Sequence, residues 1–328
     1  MEKILVTGAG GYVGSALVAE LISQNYEVVA LDTYWYGESV FNNYQSNQNL
    51  KIVKGDIRNE KLLKEIIKDI YCVVHLACIS NDPSFDLNPL LGKSINLDSF
   101  EPLVKICKNA KVSKFIYASS SSVYGVKDEM QVTEELPVDP LTDYSKYKAE
   151  CELILDNYID RDFSGLIYRP ATVCGVSSRQ RFDLSVNILT NHALNKNKIT
   201  VFGGSQYRPN LHIKDMVTAY MVAIRANKEL INGKKYNVGG ENLSLSEISN
   251  VVSEVTGVTN IDYQHSNDLR SYRINSQKIE NELNFTPVYS VRDAVSELRN
   301  AIISGDFSSP LTNPMYFNIA RMKQLDLA

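Results

Sequence analysis

The run Thr7-Gly8-Ala9-Gly10-Gly11-Tyr12-Val13-Gly14 stands between a strand-like segment, Lys3–Thr7, and a segment with apolar residues at helical spacing, Tyr12–Ser23. A strand that turns into a helix within so few residues needs glycine at the bend. The same glycines let a pyrophosphate approach the helix amino end, where its charge is stabilised. Three glycines can also serve turn geometry alone, so the flanks decide. A second strand-like run, Glu27–Asp32, ends in a carboxylate. There Asp32 can accept hydrogen bonds from both hydroxyls of an adenosine ribose and would repel a 2′-phosphate, which predicts NAD rather than NADP as a bound dinucleotide. A carboxylate that merely caps a strand beside a structural turn is the weaker reading, given both flanks.

Further strand candidates lie at Lys51–Lys54, Tyr71–Leu76, Lys114–Ala118 and Gly165–Arg169, with helical candidates at Glu60–Lys68, Leu90–Asn109 and Asp143–Tyr158 between most of them. Buried strands separated by helices imply parallel β-α-β units, and so an α/β fold with a doubly wound parallel sheet of Rossmann type. After Arg169 the alternation loosens. Leu184–Asn195 reads as a helix, and Lys198–Phe202 and Asn210–Ile213 as short strands. Ser244-Leu245-Ser246-Glu247 has the form of a capping box opening a helix towards Gly257. Ser290–Ser304 is a late helix, and Ser308–Ala328 is a tail without a clear period. The reading is a dinucleotide-binding domain over residues 1–169 and a smaller mixed α/β lobe over 170–328, with part of the latter, around 199–226, returning to the first domain.

The 328 residues, 44% hydrophobic and 22% charged, are too apolar for a disordered chain and long enough for two such lobes. A formal net charge of −4 lacks the basic excess that phosphate-backbone binding needs, which excludes nucleic acid as a main partner. Five cysteines with no C-x-x-C pair argue against a disulfide framework or a metal site and suit a reducing compartment. No run approaches the ~18 apolar residues of a membrane span. No basic segment followed by an apolar stretch opens the sequence, so a cytoplasmic protein is expected.

Ser119-Ser120-Ser121-Ser122-Val123-Tyr124-Gly125 follows the fifth strand candidate, and Tyr144-Ser145-Lys146-Tyr147-Lys148 begins the next helix. In a helix Tyr144 and Lys148 are i and i+4 and share a face. An ammonium beside a phenol favours the phenolate and lowers its pKa. A tyrosine so poised can take a proton from a hydroxyl as hydride leaves the same carbon, while a neighbouring serine holds the oxygen. Any Y-x-x-x-K occurs often by chance on exposed amphipathic helices. Behind a strand-ending serine cluster and downstream of a dinucleotide motif it is far more specific. Tyr147 lacks a lysine four positions on, and is read as packing.

The spacing G-x-x-G-x-x-G at Gly8, Gly11 and Gly14, the serine cluster and Tyr144-x-x-x-Lys148 together resemble the extended short-chain dehydrogenase/reductase family, and within it the nucleotide-sugar 4-epimerases and dehydratases. The resemblance spans nearly the whole chain. It implies cofactor contacts from Gly8, Gly11, Tyr12, Val13, Gly14, Asp32, Asp56 and Ile57 of Gly55-Asp56-Ile57, Leu76 and Ala77 of His75-Leu76-Ala77-Cys78, Tyr144, Lys148 and Pro170. Asn96 matches an asparagine that braces the sheet, and His75 is read as a packed core histidine. Ser120 aligns with the proton-relay serine, Ser121 being the alternative, and Ser122 with a hydroxyl that contacts the sugar. Family members that remove water carry Asp and Glu where this chain has Ser120-Ser121-Ser122. A hydroxyl is too weakly acidic to replace a carboxylate as base near neutral pH.

On the substrate side, Tyr168-Arg169-Pro170-Ala171-Thr172-Val173-Cys174-Gly175 resembles the family's sugar-binding strand, with Thr172 in place of the usual Asn. Arg208 and Arg270 align with arginines that contact the substrate diphosphate. His212 and Asp215 are read as structural, and Arg179-Gln180-Arg181 as either a solvated loop or a ligand contact. The resemblance thus implies an NAD-dependent enzyme acting on a nucleotide-diphosphate sugar, oxidising a hydroxyl at C4 as an epimerase does. The alternatives are a stand-alone 4-dehydrogenase or 4-keto reductase, then a 4,6-dehydratase, then a non-catalytic NAD-binding module. It also implies a homodimer through the helices at Leu90–Asn109 and Asp143–Tyr158, whose Phe100, Leu103, Leu153 and Ile154 exceed one core-facing stripe.

Overall fold

The computed structural model describes residues 2–266 and 271–328. Its strands are β1 (Lys3–Thr7), β2 (Glu27–Asp32), β3 (Leu50–Lys54), β4 (Cys72–His75), β5 (Lys114–Ala118), β6 (Ser164–Pro170), β7 (Thr172–Cys174), β8 (Ile199–Phe202), β9 (Tyr207–His212), β10 (Lys234–Val238), β11 (Asn242–Ser244) and β12 (Ile261–Gln264). The helices in the first half are α1 (Tyr12–Ser23), α2 (Glu60–Ile66), α3 (Asp82–Phe85), α4 (Pro89–Lys93), α5 (Phe100–Asn109) and α6 (Asp143–Asp156). Those in the second are α7 (Ser185–Lys196), α8 (Ile213–Arg225), α9 (Lys228–Ile231), α10 (Leu245–Thr256), α11 (Gln277–Leu283), α12 (Val291–Ile303) and α13 (Asn318–Gln324).

Among the described residues, seven strands form the main sheet in the order β10-β6-β5-β4-β1-β2-β3, and every pairing in it is parallel. Side chains alternate across the pleat, so each central strand supplies both faces. Ile4 and Val6 of β1 enter the core under α1 and α8, while Leu5 enters the opposite core under α2 and α5. That two-sided burial explains why these strands read as continuous apolar runs. A third core, built from α7, α10 and α12, fills the smaller lobe. There β9 pairs with β7 and β11, and β8 with β12. The chain re-enters the main layer after His212: α8 packs on α1, and β10 extends the sheet beside β6. β8 stays in the smaller lobe.

Ser244 closes the capping box read from the sequence, and Gly257 ends α10 in the left-handed conformation. Two segments differ from expectation. Leu90–Asn109 is no continuous helix: α4 and α5 flank a π-helical turn, Ser94–Asp98. The wider turn lets Asn96 bond both backbone groups of Ile79, at 2.8 and 2.9 Å, bracing the segment after β4. The tail after Ser308 folds back over the main layer, with Asn88 donating to the Leu327 carbonyl and Arg321 to that of Trp35. Phe100 and Leu103 are fully buried in the chain's own core, so they are not spare apolar surface. Leu153 (63% exposed) and Leu90 (83% exposed) do face outward.

One buried ion pair joins α6 to the sheet. Arg169 on β6 donates Nε and Nη2 to Glu152 on α6 at 3.0 and 2.6 Å, and Nη1 to the Tyr124 hydroxyl at 2.8 Å. Replacing Glu152 with Ala leaves a guanidinium buried without its partner. It should lower the unfolding free energy by about 3–5 kcal/mol, read from the urea midpoint, whereas breaking the exposed Lys64–Glu60 pair should leave that midpoint nearly unchanged.

Candidate active site

The carboxyl ends of the main-sheet strands open into one cleft of about 520 Å³, beside the point between β1 and β4 where the strand order reverses. Its first wall is the glycine turn. An added Cβ at Gly8 (φ +72°) would lie 2.6 Å from the Ala77 nitrogen, and one at Gly14 would lie 2.1 Å from the Gly8 carbonyl. Contact as well as turn geometry therefore requires these glycines. Gly11 caps α1 without a side-chain hydrogen bond, leaving the first-turn N–H groups of Tyr12, Val13 and Gly14 at the cleft wall. Asp32 lies at the end of β2, where Oδ2 accepts from Gly10 N–H at 2.9 Å and Oδ1 from Tyr34 N–H at 2.7 Å. Burial raises its pKa, against the pull of those two N–H groups.

Asp56, Ile57, Leu76, Ala77 and Pro170 continue the wall. Asp56 is held by Arg58 at 2.6 Å; burial alone would raise its pKa, but the guanidinium brings it below the ordinary value. His75 is buried behind this wall, with Nδ1 2.8 Å from the Thr7 hydroxyl and its ring among Phe100, Phe115 and Tyr117. Burial, reinforced by Lys148, depresses its pKa to about 3, so it stays neutral.

Across the cleft are Ser120, Ser122, Tyr144 and Lys148. Thr142 accepts from the Ser145 N–H, caps α6 and donates to Asp82, which fixes the first turn carrying Tyr144. Ser120 Oγ accepts from the Ser122 N–H at 3.1 Å and the Ser122 hydroxyl at 2.8 Å, whereas Ser121 turns to Tyr272 at 3.2 Å. Lys148 Nζ donates to the Ala118 carbonyl at 2.6 Å and lies 5.9 Å from the centre of the Tyr144 ring. The expectation that Lys148 lowers the tyrosine's pKa needs correction. Burial, then Cys78 and Asp82, hold Tyr144 well above the ordinary phenol value; the opposing groups are Arg181 and Ser120. Tyr147 packs against Phe85 at 5.6 Å.

Thr172 on β7 and Arg208 on β9 also line the cleft, and Arg270 lies outside the described residues. His212 and Asp215 do not line it. His212 accepts from Lys214 N–H to cap α8, and Asp215 holds the N–H groups of Val288 and Tyr289. The Arg179-Gln180-Arg181 segment is not solvated: all three residues are buried, and both arginines line the cleft. Asn318, from the tail that showed no period, reaches the same wall. No local pattern could have found it, because α13 arrives there only by tertiary folding. Among the described residues no cluster of potential metal ligands occurs, and no helix is long and apolar enough to cross a membrane.

The fold and cleft define a Rossmann-type dinucleotide enzyme scaffold. Residues 4–239 match the NAD dependent epimerase/dehydratase family, and the chain belongs to that family. A UDP-glucose 4-epimerase of Lactobacillus helveticus is 27% identical over 277 residues, covering 78% of this chain and 82% of that protein. A dTDP-D-glucose 4,6-dehydratase of Bos taurus is 28% identical, covering 85% and 82%. The crystal structure of UDP-glucuronic acid 4-epimerase from Bacillus cereus, in complex with UDP-glucuronic acid and NAD, superposes with a TM-score of 0.84 at 28% identity, over 92% of this chain and 99% of that one. The cofactor is NAD. The residues present fit it: a glycine turn packed too closely for a Cβ at Gly8 or Gly14, first-turn N–H groups at the cleft wall, and a carboxylate already oriented by two backbone donors.

Two outcomes follow. Asp32→Ala should weaken NAD more than NADP, measured by isothermal titration; an unchanged ratio of the two affinities would count against the carboxylate's role. The depressed pKa of His75 destabilises the fold as the unfolded chain takes up its proton. Its contribution is intact above the unfolded value of about 6.5 and falls by up to roughly 1.4 kcal/mol per pH unit below it, down to the folded value of about 3. His75→Gln should flatten the fall of unfolding midpoint between pH 6 and 4.

Proposed function

We propose that this chain oxidises a hydroxyl of a nucleoside-diphosphate sugar, at C4, and re-reduces the ketone as a 4-epimerase does. The observation that carries the reading is that Tyr144, Ser120 and Lys148 face one cleft with the dinucleotide cradle, while the serine loop holds no carboxylate. Bound NAD supplies the hydride acceptor. Tyr144 takes the hydroxyl proton, Ser120 holds the oxygen with its hydroxyl, and Ser122 orients Ser120 through the 2.8 Å bond. Arg181 contributes positive charge that favours the phenolate, and Ser120 assists by hydrogen bonding. Arg208 and Thr172, which line the same cleft, would contact the sugar or diphosphate portion of the substrate.

Elimination of water needs a carboxylate base beside the sugar. Three carboxylates of the cleft are engaged elsewhere: Asp32 by backbone N–H groups, Asp56 by Arg58 and Asp183 by Arg181. Asp82 accepts from Thr142 at the base of α6. This favours epimerase-type chemistry over a 4,6-dehydratase. The replacement of the family's Asn by Thr172 keeps a 4-keto reductase as the second reading, with the same Tyr144 then acting as proton donor.

NMR of products from the NAD-loaded protein with UDP-, GDP- and dTDP-sugars tests the proposal: C4 epimers support it, whereas a 4-keto-6-deoxy product would overturn it. With a turned-over substrate, Tyr144→Phe should lose ~10²–10⁴ in rate while still binding NAD, and Ser120→Ala should lose less. We further propose a homodimer through the outward face of α4 and α6, where Leu90 and Leu153 are exposed. Sedimentation showing a monomer at micromolar concentration would refute it.

A further inference from the structure

The segment between β7 and α7 is stitched to the first turn of α1. Ser177 donates its hydroxyl to the Tyr12 carbonyl at 2.7 Å, and its oxygen lies 3.1 Å from that of Ser15. The Arg179 N–H bonds the Ser15 hydroxyl at 3.3 Å, and the Tyr12 hydroxyl donates to the Gly175 carbonyl at 2.7 Å. Two guanidinium groups are thereby held against the cleft at the amino end of α1. Arg179 is 4% exposed and Arg181 is 7% exposed.

Burying two like charges side by side is costly unless each is paired and hydrogen-bonded. Arg181 is paired in part: Nε donates to Asp183 at 2.8 Å and Nη1 to Ser80 at 3.0 Å. Arg179 forms no ion pair with a described carboxylate; Nη2 donates to Asn318 Oδ1 at 2.6 Å, and the group stacks 3.8 Å from the centre of the Tyr36 ring. Arg179 Nε and Arg181 Nη2 are buried with no hydrogen-bond partner among the described residues. Burial and then repulsion by Arg181 lower the pKa of Arg179 to about 10, which leaves it charged at neutral pH. Two cations, one carboxylate at bonding distance and two N–H groups without a partner among the described residues thus belong to the wall of a cleft that also holds the uncapped amino end of α1.

Both features suit the same ligand, an anion with several oxygens. We propose that Arg179 and Arg181 form an arginine clamp that holds the diphosphate of the dinucleotide cofactor together with the α1 amino end. A substrate diphosphate offers the same chemistry. The cofactor is favoured because the clamp is bonded to the first turn of α1 and acts electrostatically on Asp32, whereas Arg208 lies on β9 in the other lobe. The clamp is preorganised by the tail. Asn318 accepts from Arg179, gives its side-chain N–H to Ser80 at 3.1 Å, and gives its backbone N–H to Asp183 at 2.8 Å. The inference rests on NAD as cofactor and not on which sugar is oxidised.

The test compares Arg179→Met, Arg181→Met and Arg179→Lys with the unaltered full-length protein. Affinities for NAD and ADP-ribose are taken by isothermal titration, and for adenosine by NMR titration. Charge-assisted hydrogen bonds of this kind correspond to roughly ten- to a hundredfold in affinity. Each Met variant should lose about that factor for NAD and ADP-ribose, Arg179→Lys should lose less, and adenosine affinity should hold. Unchanged NAD affinity in both Met variants would overturn the proposal. So would an equal loss for adenosine, since the arginines would then be holding the shape of the pocket rather than reading phosphate. Titration of UDP into NAD-loaded protein is the remaining arm: UDP binding lost with NAD affinity intact would move the pair to the substrate and also overturn the assignment.

Discussion

The buried pair between Glu152 and Arg169 connects every element that carries a proposed catalytic group. Glu152 lies one helical turn beyond Lys148 on α6, and also accepts the hydroxyl hydrogen of Ser119 at the head of the serine loop. Arg169 is the next-to-last residue of β6, beside Pro170, and passes the connection to Tyr124, whose hydroxyl donates to Asn237 on β10 at 2.8 Å. A helix, a loop and two strands are thus fixed by one low-dielectric network in which each member is satisfied by another. The relative positions of Tyr144 and Ser120 follow from it, because α6 and the serine loop share Glu152 as a common anchor.

Electrostatically, the cleft has two regions. Around Asp32 the carboxylate is held by backbone donors and left ready for hydroxyls. Around Arg179, Arg181 and Lys148 the side chains are cationic, while His75 behind them is kept neutral by burial. This asymmetry suits a ligand with a neutral, hydroxyl-bearing end and an anionic middle. It also bears on Tyr144, whose acidity is opposed by burial and by Asp82 and assisted by Arg181. The cations that hold phosphate and those that favour the phenolate therefore draw on one cluster of positive charge.

The tail contributes more than its sequence suggests. Phe182, next to Arg181, packs edge-on against Tyr316 at 5.4 Å and donates its N–H to the Tyr316 carbonyl. The carboxy-terminal segment therefore closes over the arginine loop as a strap. It links the dinucleotide side of the cleft to the last residues of the chain.

What the sequence determined by itself was local or periodic: the strand–glycine–helix turn, the alternation that sets a parallel sheet, the capping box at Ser244, and the i, i+4 relation of Tyr144 and Lys148. Each is fixed by backbone geometry within a few residues, so it can be read without the fold. Only the tertiary structure decided which charges meet. The burial of Arg179 and Arg181 depends on Ser15 and Asn318, which are 164 and 139 residues away from Arg179 in the chain. The division of Leu90–Asn109 by a π-helical turn depends on Ile79 offering its backbone to Asn96. The acidity of Tyr144 likewise could not be read from its lysine, because a pKa responds to desolvation and to every charge brought near by folding, and spacing along one helix supplies only one of those terms.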